Sequence, residues 1–276
     1  MLNQVNKPEA KSIVFKWKPE DFDFLLKSCD FDDGVKITLK YLNDKDAKIL
    51  EAGCGIGRVV KYLQDRGFTD VNGIEIDRES VDFQNTFFPE LKITHADVLA
   101  MPYPDNFFDV ILSYGVIEHF PDGPDAPLKA MYDVLKPGGI AIVTVPSFNK
   151  IRQMKYFYRM FDLRKYNFIR KFFGKKLLKK NGKRFSFYID PQYGNFYEYR
   201  LTKKQFENIC KRAGFQILES APIAHIDGLF HEIGAPLVTF KDWKFKLSKS
   251  GKLLNKLFSS VPFLHNHMHA CVLKKV

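Results

Sequence analysis

The chain has little cysteine and no long apolar run, and each scarcity excludes something. Its 276 residues include four cysteines, Cys29, Cys54, Cys210 and Cys271, with no CxxC or Cys/His metal spacing. Such usage argues against a disulfide framework and for a reducing compartment, so a cytoplasmic protein, soluble or peripheral to a membrane, is the expectation. The longest apolar stretches, such as Ile140-Ala-Ile-Val-Thr-Val145, are strand-sized and fall far short of the ~20 residues that cross a bilayer. Met1 to Lys11 is polar and charged where a secretion signal needs an apolar core. Internal repeats and low-complexity tracts are missing too. Against these absences stand 45% hydrophobic and 15% aromatic residues, enough to bury a full core and to exclude general disorder.

Acids are scarce in one place. Lys150 to Arg184 holds fourteen Lys or Arg against a single acid, Asp162, a local net charge of +13. The whole chain carries +11, so the basicity belongs to this segment and the remainder is near neutral. An anionic partner, if there is one, is therefore sought at 150–184.

What is present is a rhythm of short β-rich runs and helix-like stretches, the pattern of a parallel sheet with crossover helices. Strands are expected at Lys48 to Glu51, Val71 to Glu75, Lys92 to Thr94, Phe108 to Leu112 and Ile140 to Val145. Helices are expected at Arg58 to Gln64, at Arg78 to Phe87 behind an Asp77 cap, and at Ala126 to Leu135 before the Lys136-Pro-Gly-Gly139 stop. Pro19 to Lys27 and Asp33 to Leu42 read as helices able to cover a ligand site. Thr202 caps a helix through Lys211, and strands follow at Phe215 to Glu219 and Ala270 to Leu273. The organisation is one domain: helices over 1–46, a cofactor-binding core over 47–148, a basic aromatic insertion over 149–200, a helix and strand over 201–220, a second insertion over 221–269 and the last strand over 270–276.

The chemistry concentrates at strand ends, the edge where open α/β sheets bind ligands. Glu51-Ala-Gly53-Cys-Gly55-Ile-Gly57 joins a strand to a helix, and its glycines let backbone N–H groups approach a ligand without Cβ interference. A dinucleotide fingerprint would want glycine or alanine at position 58, where Arg58 stands. Glu75 ends the second strand, where a carboxylate can accept from both hydroxyls of a ribose, with Ile76 beside it to cover an adenine. Asp97 could accept from an adenine amine, Val98 and Met101 offer apolar contact, and Ser113-Tyr-Gly115 faces the same crevice. The plain alternatives are an ordinary strand-to-helix turn for the glycines and helix caps for the two acids.

From Lys48 to Ser147 the sequence resembles the class I S-adenosylmethionine-dependent methyltransferases, in particular the group that includes the ubiquinone and menaquinone enzymes. The matching pieces are Leu50-Glu-Ala-Gly-Cys-Gly-Ile-Gly57, Gly73-Ile-Glu-Ile-Asp77, Ala96-Asp-Val98, Phe107-Phe-Asp-Val-Ile-Leu112, Val116-Ile-Glu-His119 and Leu135-Lys-Pro-Gly-Gly139. The resemblance implies a Rossmann-like seven-stranded sheet with an antiparallel last strand and S-adenosyl-L-methionine as cofactor. It places the first glycines beside the methionine part, Glu75 on the ribose and Asp97 on the adenine amine. Aspartate is commoner in the family where Glu75 stands, and the likeness fades after Ser147.

Methyl transfer needs in-line alignment and, for some acceptors, a base. His119 is the first candidate, with Tyr114, Glu118 and Tyr41 behind it; simple packing of a short helix is the competing reading of His119. The expected acceptor is a small or lipid-linked molecule. The basic stretch interleaves Met154, Tyr156, Phe157, Tyr158, Phe161, Tyr166, Phe168, Phe172 and Phe173 with cations, which suits a lid, a membrane-surface helix or, less well, nucleic-acid binding. His265, His267 and His269 alternate as on one strand face, yet no acid lies near them in sequence, and a polar face is expected rather than a metal site. Other function classes remain open: an anionic-surface binding module with a vestigial cofactor site, or a nicotinamide-dependent oxidoreductase, which Arg58 disfavours.

Overall fold

The computed structural model describes residues 19–161, 171, 187–190, 194–241 and 244–276. A short 3-10 turn, Pro19–Asp21, leads into α1 (Phe22–Ser28) and α2 (Asp33–Tyr41). Then come β1 (Lys48–Ala52), α3 (Arg58–Gln64), β2 (Asp70–Glu75), α4 (Arg78–Phe87), β3 (Lys92–His95), β4 (Phe108–Tyr114), α5 (Asp125–Val134) and β5 (Leu135–Pro146). Caps set several boundaries: Asp77 accepts from the Ser80 amide at the start of α4, and Asp32 accepts from Gly34 and Val35 at the start of α2.

Strand β5 departs from the sequence reading. It begins at Leu135, not Ile140, because Phe108 pairs with Leu135 while Val110 pairs with Ile140. The Lys136-Pro-Gly-Gly139 stretch is thus a bulge carried within the strand, with Gly138 at φ +80°.

Beyond Ser147 lie α6 (Lys150–Phe161), the hairpin β6 (Phe187–Asp190) and β7 (Gly194–Tyr197), then α7 (Lys203–Arg212) and β8 (Phe215–Ile223). Helix α8 (His225–Glu232), the hairpin β9 (Val238–Lys241) and β10 (Lys244–Leu247), α9 (Lys249–Ser259) and β11 (Met268–Lys275) complete the chain. Thr202 and Gln205 close a full capping box on α7. Helices α6, α8 and α9 give both insertions structure of their own. Tyr166, Phe168, Phe172 and Phe173 lie outside the described residues, as do the side chains of Tyr158 and Phe161.

Seven strands form one sheet in the order β3-β2-β1-β4-β5-β11-β8, and only β11 runs antiparallel to its neighbours. The doubly wound sheet with a reversed last strand is the expected one. Ile49 and Leu50, adjacent on β1, are both fully buried but belong to opposite cores, one under α3 and one under α5 and α7. Both faces are covered, which is why the central strands read as continuous apolar runs; each such side chain contributes roughly 1.5–3 kcal/mol. A Cβ on Gly73 would lie 2.8 Å from Cys54 Sγ and 3.1 Å from Val60, so glycine in mid-β2 lets the loop after β1 and α3 sit directly on the strand.

Asp32 does double duty here, since its other oxygen accepts from Arg58 at 2.7 Å. Asp32→Ala is expected to cost about 1–2 kcal/mol from the lost cap, while Asp32→Asn keeps the cap and loses only the charge pairing. Urea unfolding of both variants measures the difference; equal losses would show that the cap contributes nothing.

Candidate active site

Gly53, Gly55 and Gly57 all adopt left-handed backbone, at φ +81°, +55° and +73°. A Cβ on Gly53 would strike Val116 at 2.6 Å, and one on Gly57 would strike Ile93 at 2.5 Å. The glycines are therefore required by the loop's own geometry. Their amides are engaged internally: Gly53 and Cys54 donate to the Ile74 carbonyl, Gly57 donates to Cys54, and Gly55 donates to Glu75 Oε2 at 2.8 Å. None of the three glycine N–H groups is left for a ligand, which differs from the role the sequence suggested. What they offer a ligand is a surface without side chains.

Glu75, at the end of β2, is the hub of this loop. Its Oε2 holds Gly55, and its Oε1 accepts from Ile76 and Asp77 at 2.8 and 2.9 Å. A carboxylate has about four lone-pair sites, so this conformation leaves one, on Oε2, rather than the two that a bidentate ribose contact needs. Burial pushes its carboxyl up, and the three amides oppose that rise. Asp97 caps a short 3-10 turn, Val98–Ala100, through Oδ1 to the Leu99 amide at 2.9 Å. Val98 is in the core, so the apolar side chains open to a ligand here are Ile76 and Leu99, 40% and 48% exposed. Leu99 was not singled out in the sequence because only its neighbour matched a motif.

Beneath the loop, buried Glu51 has an oxygen with no partner among the described residues, and the same holds for the Ser113 hydroxyl at the end of β4. Past β4, Gly115 turns the chain at φ +69° into a short 3-10 turn, Ile117–His119. His119 is partly exposed, and its Nε2 lies 3.8 Å from Oε1 of Glu118, whose buried Oε2 has no partner among the described residues. Burial holds the Glu118 carboxyl well above the usual range, favouring its neutral form. The chain returns beside this turn, with the Tyr199 amide donating to the Glu118 carbonyl.

Two other base candidates are occupied. The Tyr114 hydroxyl bonds Thr38 of α2, and burial keeps its proton on. Tyr41 donates to Glu219 Oε2 at 2.8 Å on β8, and that bond raises its pKa. Arg58, by pairing with Asp32 and reaching Cys29 Sγ at 3.3 Å, ties the N-terminal helices to the glycine loop.

The three alternating histidines do not share a face, because β11 begins only at Met268. His265 bonds Asn255 and lies beside His225; His269 bonds Ser220 between Phe206 and Phe263. His267 instead meets an acid from the other insertion: its Nε2 is 3.9 Å from Asp227, which also takes His231 at 3.1 Å. These three side chains could in principle surround a cation. Arg152 decides otherwise. Its guanidinium donates to His267 Nδ1 at 2.8 Å, which leaves the ring proton on the Nε2 that a metal would need. Arg152 also bonds Glu232 at 2.5 Å and the Ser147 carbonyl at 2.6 Å, while Lys155 pairs with Glu232 at 2.9 Å. Arg152 and Lys155 are thus committed to the fold rather than open to an anionic acceptor. None of this network was visible in the sequence, since its members lie 80 and 115 residues apart.

Comparison with known proteins matches residues 50–143 to a family described as a methyltransferase domain. Phosphoethanolamine N-methyltransferase 3 of Arabidopsis thaliana is 34% identical over 119 residues, 40% of this chain and 24% of that protein. The 2-methyl-6-phytyl-1,4-hydroquinone methyltransferase of Synechocystis is 36% identical over 99 residues, 34% of this chain and 30% of that protein. The chain thus matches about a quarter to a third of these relatives. Among solved structures, a SAM-dependent methyltransferase of Methanosarcina mazei aligns with a TM-score of 0.55 and 17% identity, covering 87% of this chain and 97% of that one. One from Archaeoglobus fulgidus gives 0.56 at 13% identity, with 92% and 94% covered, so the same fold is shared throughout.

Burial pushes Glu51 up to about 8, with Arg58 opposing and Asp32 and Glu75 adding to the rise. Unfolded, it titrates near ~4.3. Between these values folding takes up a proton, so its contribution is full below the unfolded pKa and is lost as pH rises through about 8. Glu51→Gln should therefore gain stability relative to wild type from about pH 5 to 8, by at most ~1.4 kcal/mol per pH unit. Denaturant curves across that range test this; a constant difference would show that Glu51 does not titrate there.

Proposed function

We propose that the chain is a class I S-adenosylmethionine-dependent methyltransferase, a reading supported by the methyltransferase-domain match over 50–143 and by the shared fold, and that it moves a methyl group to a small-molecule or lipid-linked acceptor held beside His119. The relatives include phosphoethanolamine, hydroquinone and sterol methyltransferases, so the likeness reaches the family and spreads over several acceptor classes. Bound S-adenosylmethionine supplies a methyl already activated on a sulfonium.

The residues present fit that cofactor. The glycine loop offers bare backbone whose three glycine amides are engaged, which suits an adenosine and a methionine better than a pyrophosphate that needs several free N–H donors. This observation carries the reading, and it also counts against a nicotinamide dinucleotide. Glu75 Oε2 would accept from a ribose hydroxyl, Asp97 through its free oxygen from the adenine amine, and Ile76 and Leu99 would cover the ring. The unpartnered oxygen of Glu51 fits an ammonium, and the Ser113 hydroxyl a further polar contact. His119 would take the proton of an acceptor O–H or N–H. Glu118, whose burial favours its neutral form, lies beside the His119 ring.

Calorimetry with S-adenosylhomocysteine tests the cofactor reading, and no binding at millimolar ligand would sink it. Glu75→Ala should weaken binding by one to two orders of magnitude, on the order of 1.5–3 kcal/mol for charge-assisted hydrogen bonds. Because an ammonium on Glu51 favours its ionised form, affinity should rise from about pH 6 toward 8, and Glu51→Gln should flatten that rise. His119→Ala should slow S-adenosylhomocysteine formation over a panel of amine, quinol and phenol acceptors by ~100-fold or more, with S-adenosylhomocysteine affinity unchanged. Equal turnover would leave His119 a packing residue.

A further inference from the structure

For the basic, aromatic stretch at 150–184 an anionic surface is one reading beside a lid, but a second surface, in the other insertion, has the better-defined geometry. From Trp243 to Val276 there are seven lysines and no acid. Five of these lie between Lys244 and Lys256, on β10 and α9. On α9, Leu253 and Leu257 are 61% and 56% exposed, and Val261, one turn further, is exposed as well. Leu253 and Leu257, four apart, lie on one side of the helix, and Val261 follows just past its C-terminal end. Lys249, Lys252 and Lys256 flank that row at i−4 and i−1, all exposed, and none takes part in an ion pair among the described residues. The opposite side, with Leu254, Phe258 and buried Gly251, packs on the protein, where Gly251 lies against the Leu237 carbonyl.

The adjoining hairpin repeats the composition. Phe240 and Phe245 face each other across β9 and β10 with ring centroids 4.8 Å apart, and Phe230 of α8 lies 5.5 Å from Phe245. Both hairpin rings are exposed by more than a third. Lys241 and Lys244 form the next pair along the ladder. Just after α9, the carbonyls of Phe263 and Leu264 accept from the first amides of α6, Lys150 and Ile151. That contact joins the end of α9 to the chain leaving β5, on the ligand edge of the sheet.

We propose that α9, with the β9–β10 hairpin, docks on an anionic lipid surface, Leu253, Leu257 and Val261 entering the interface and the lysines meeting the head groups. Exposed leucine in a regular row costs solubility and needs a cover; the unpaired lysines beside it specify a negative one. Lysine stems lie along apolar surface while their ammonium groups reach outward, the arrangement of helices that lie in a membrane plane. No helix among the described residues is long and apolar enough to cross a membrane. An RNA would use the lysines but leave the leucines without a role, which is why lipid is favoured. The surface is independent of the cofactor loop, so lipid binding and methyl transfer are measured separately.

The test is flotation of the full chain with phosphatidylcholine vesicles, with and without about a third phosphatidylserine, at low and high salt. Binding to the anionic vesicles only, weakening with salt, is expected. Leu253→Ser with Leu257→Ser should lower that binding at least tenfold while S-adenosylhomocysteine affinity, the check on folding, stays put. Lys252→Glu with Lys256→Glu should do the same. Four results would overturn the proposal: no vesicle binding, equal binding to neutral vesicles, anionic binding that ignores the leucine pair, or a concentration-dependent dimer that the leucine pair abolishes. RNA binding lost with the lysines but not the leucines would instead assign the patch to nucleic acid.

Discussion

One carboxylate sets the shape of the cofactor edge. Glu75 sits where β2 ends and holds three amides at once, those of Gly55, Ile76 and Asp77. Through Gly55 it fixes the loop after β1, and through Asp77 it fixes the residue that caps α4. Two crossovers of the sheet are therefore aligned by a single side chain. An aspartate here, one methylene shorter, could not reach Gly55 without drawing the loop inward. The longer side chain thus trades part of its capacity for ligand against a preformed loop, a form of preorganisation.

Around that hub the molecule keeps polar groups unsatisfied. Glu51, Ser113 and Glu118 stand at or just past the ends of β1 and β4, each with an oxygen lacking a partner among the described residues. Buried oxygens without hydrogen bonds cost stability, about 1–3 kcal/mol apiece. A core optimised only for folding would replace them with apolar groups of similar shape. Others of the kind lie on α4 and around the approach to β11, but Glu51 and Ser113 are the ones near the glycine loop, where the cationic and hydroxyl-bearing ligand proposed above would use them. The same burial holds the carboxyls of Glu51 and Glu118 up, so this edge carries less negative charge than its composition suggests.

The cofactor half was legible in the sequence because its information is local. Period-two apolar runs, a cap at Asp77 and glycines at fixed offsets are short-range signals, and α3 and α4 begin and end where those signals say. Local signals also misled. Pro137-Gly-Gly marks the end of α5 correctly, yet pairing with Phe108 carries β5 back to Leu135, a tertiary effect that no turn rule contains. Val98 follows the motif acid and still points its side chain into the core, leaving the exposed position to Leu99. The alternating histidines promised one face, but two of them precede the strand, so period two never applied to them.

The acceptor side was not legible, and the reason is physical. Arg152 is secured by Glu232 and His267, from α8 and the approach to β11, together with the Ser147 carbonyl at the end of β5. Each residue alone reads as an ordinary surface charge, and only the fold brings them within hydrogen-bond distance. A guanidinium so fully engaged locks α6 against α8 at the mouth of the sheet. On the function proposed above, Arg152 and Lys155 are therefore not open to an anionic acceptor, and the His119 turn with the returning Tyr199 segment is where acceptor contacts are to be sought. Both α6 and the Tyr199 segment lie beyond residues 50–143, the stretch that matches the methyltransferase-domain family, so that match does not extend to them.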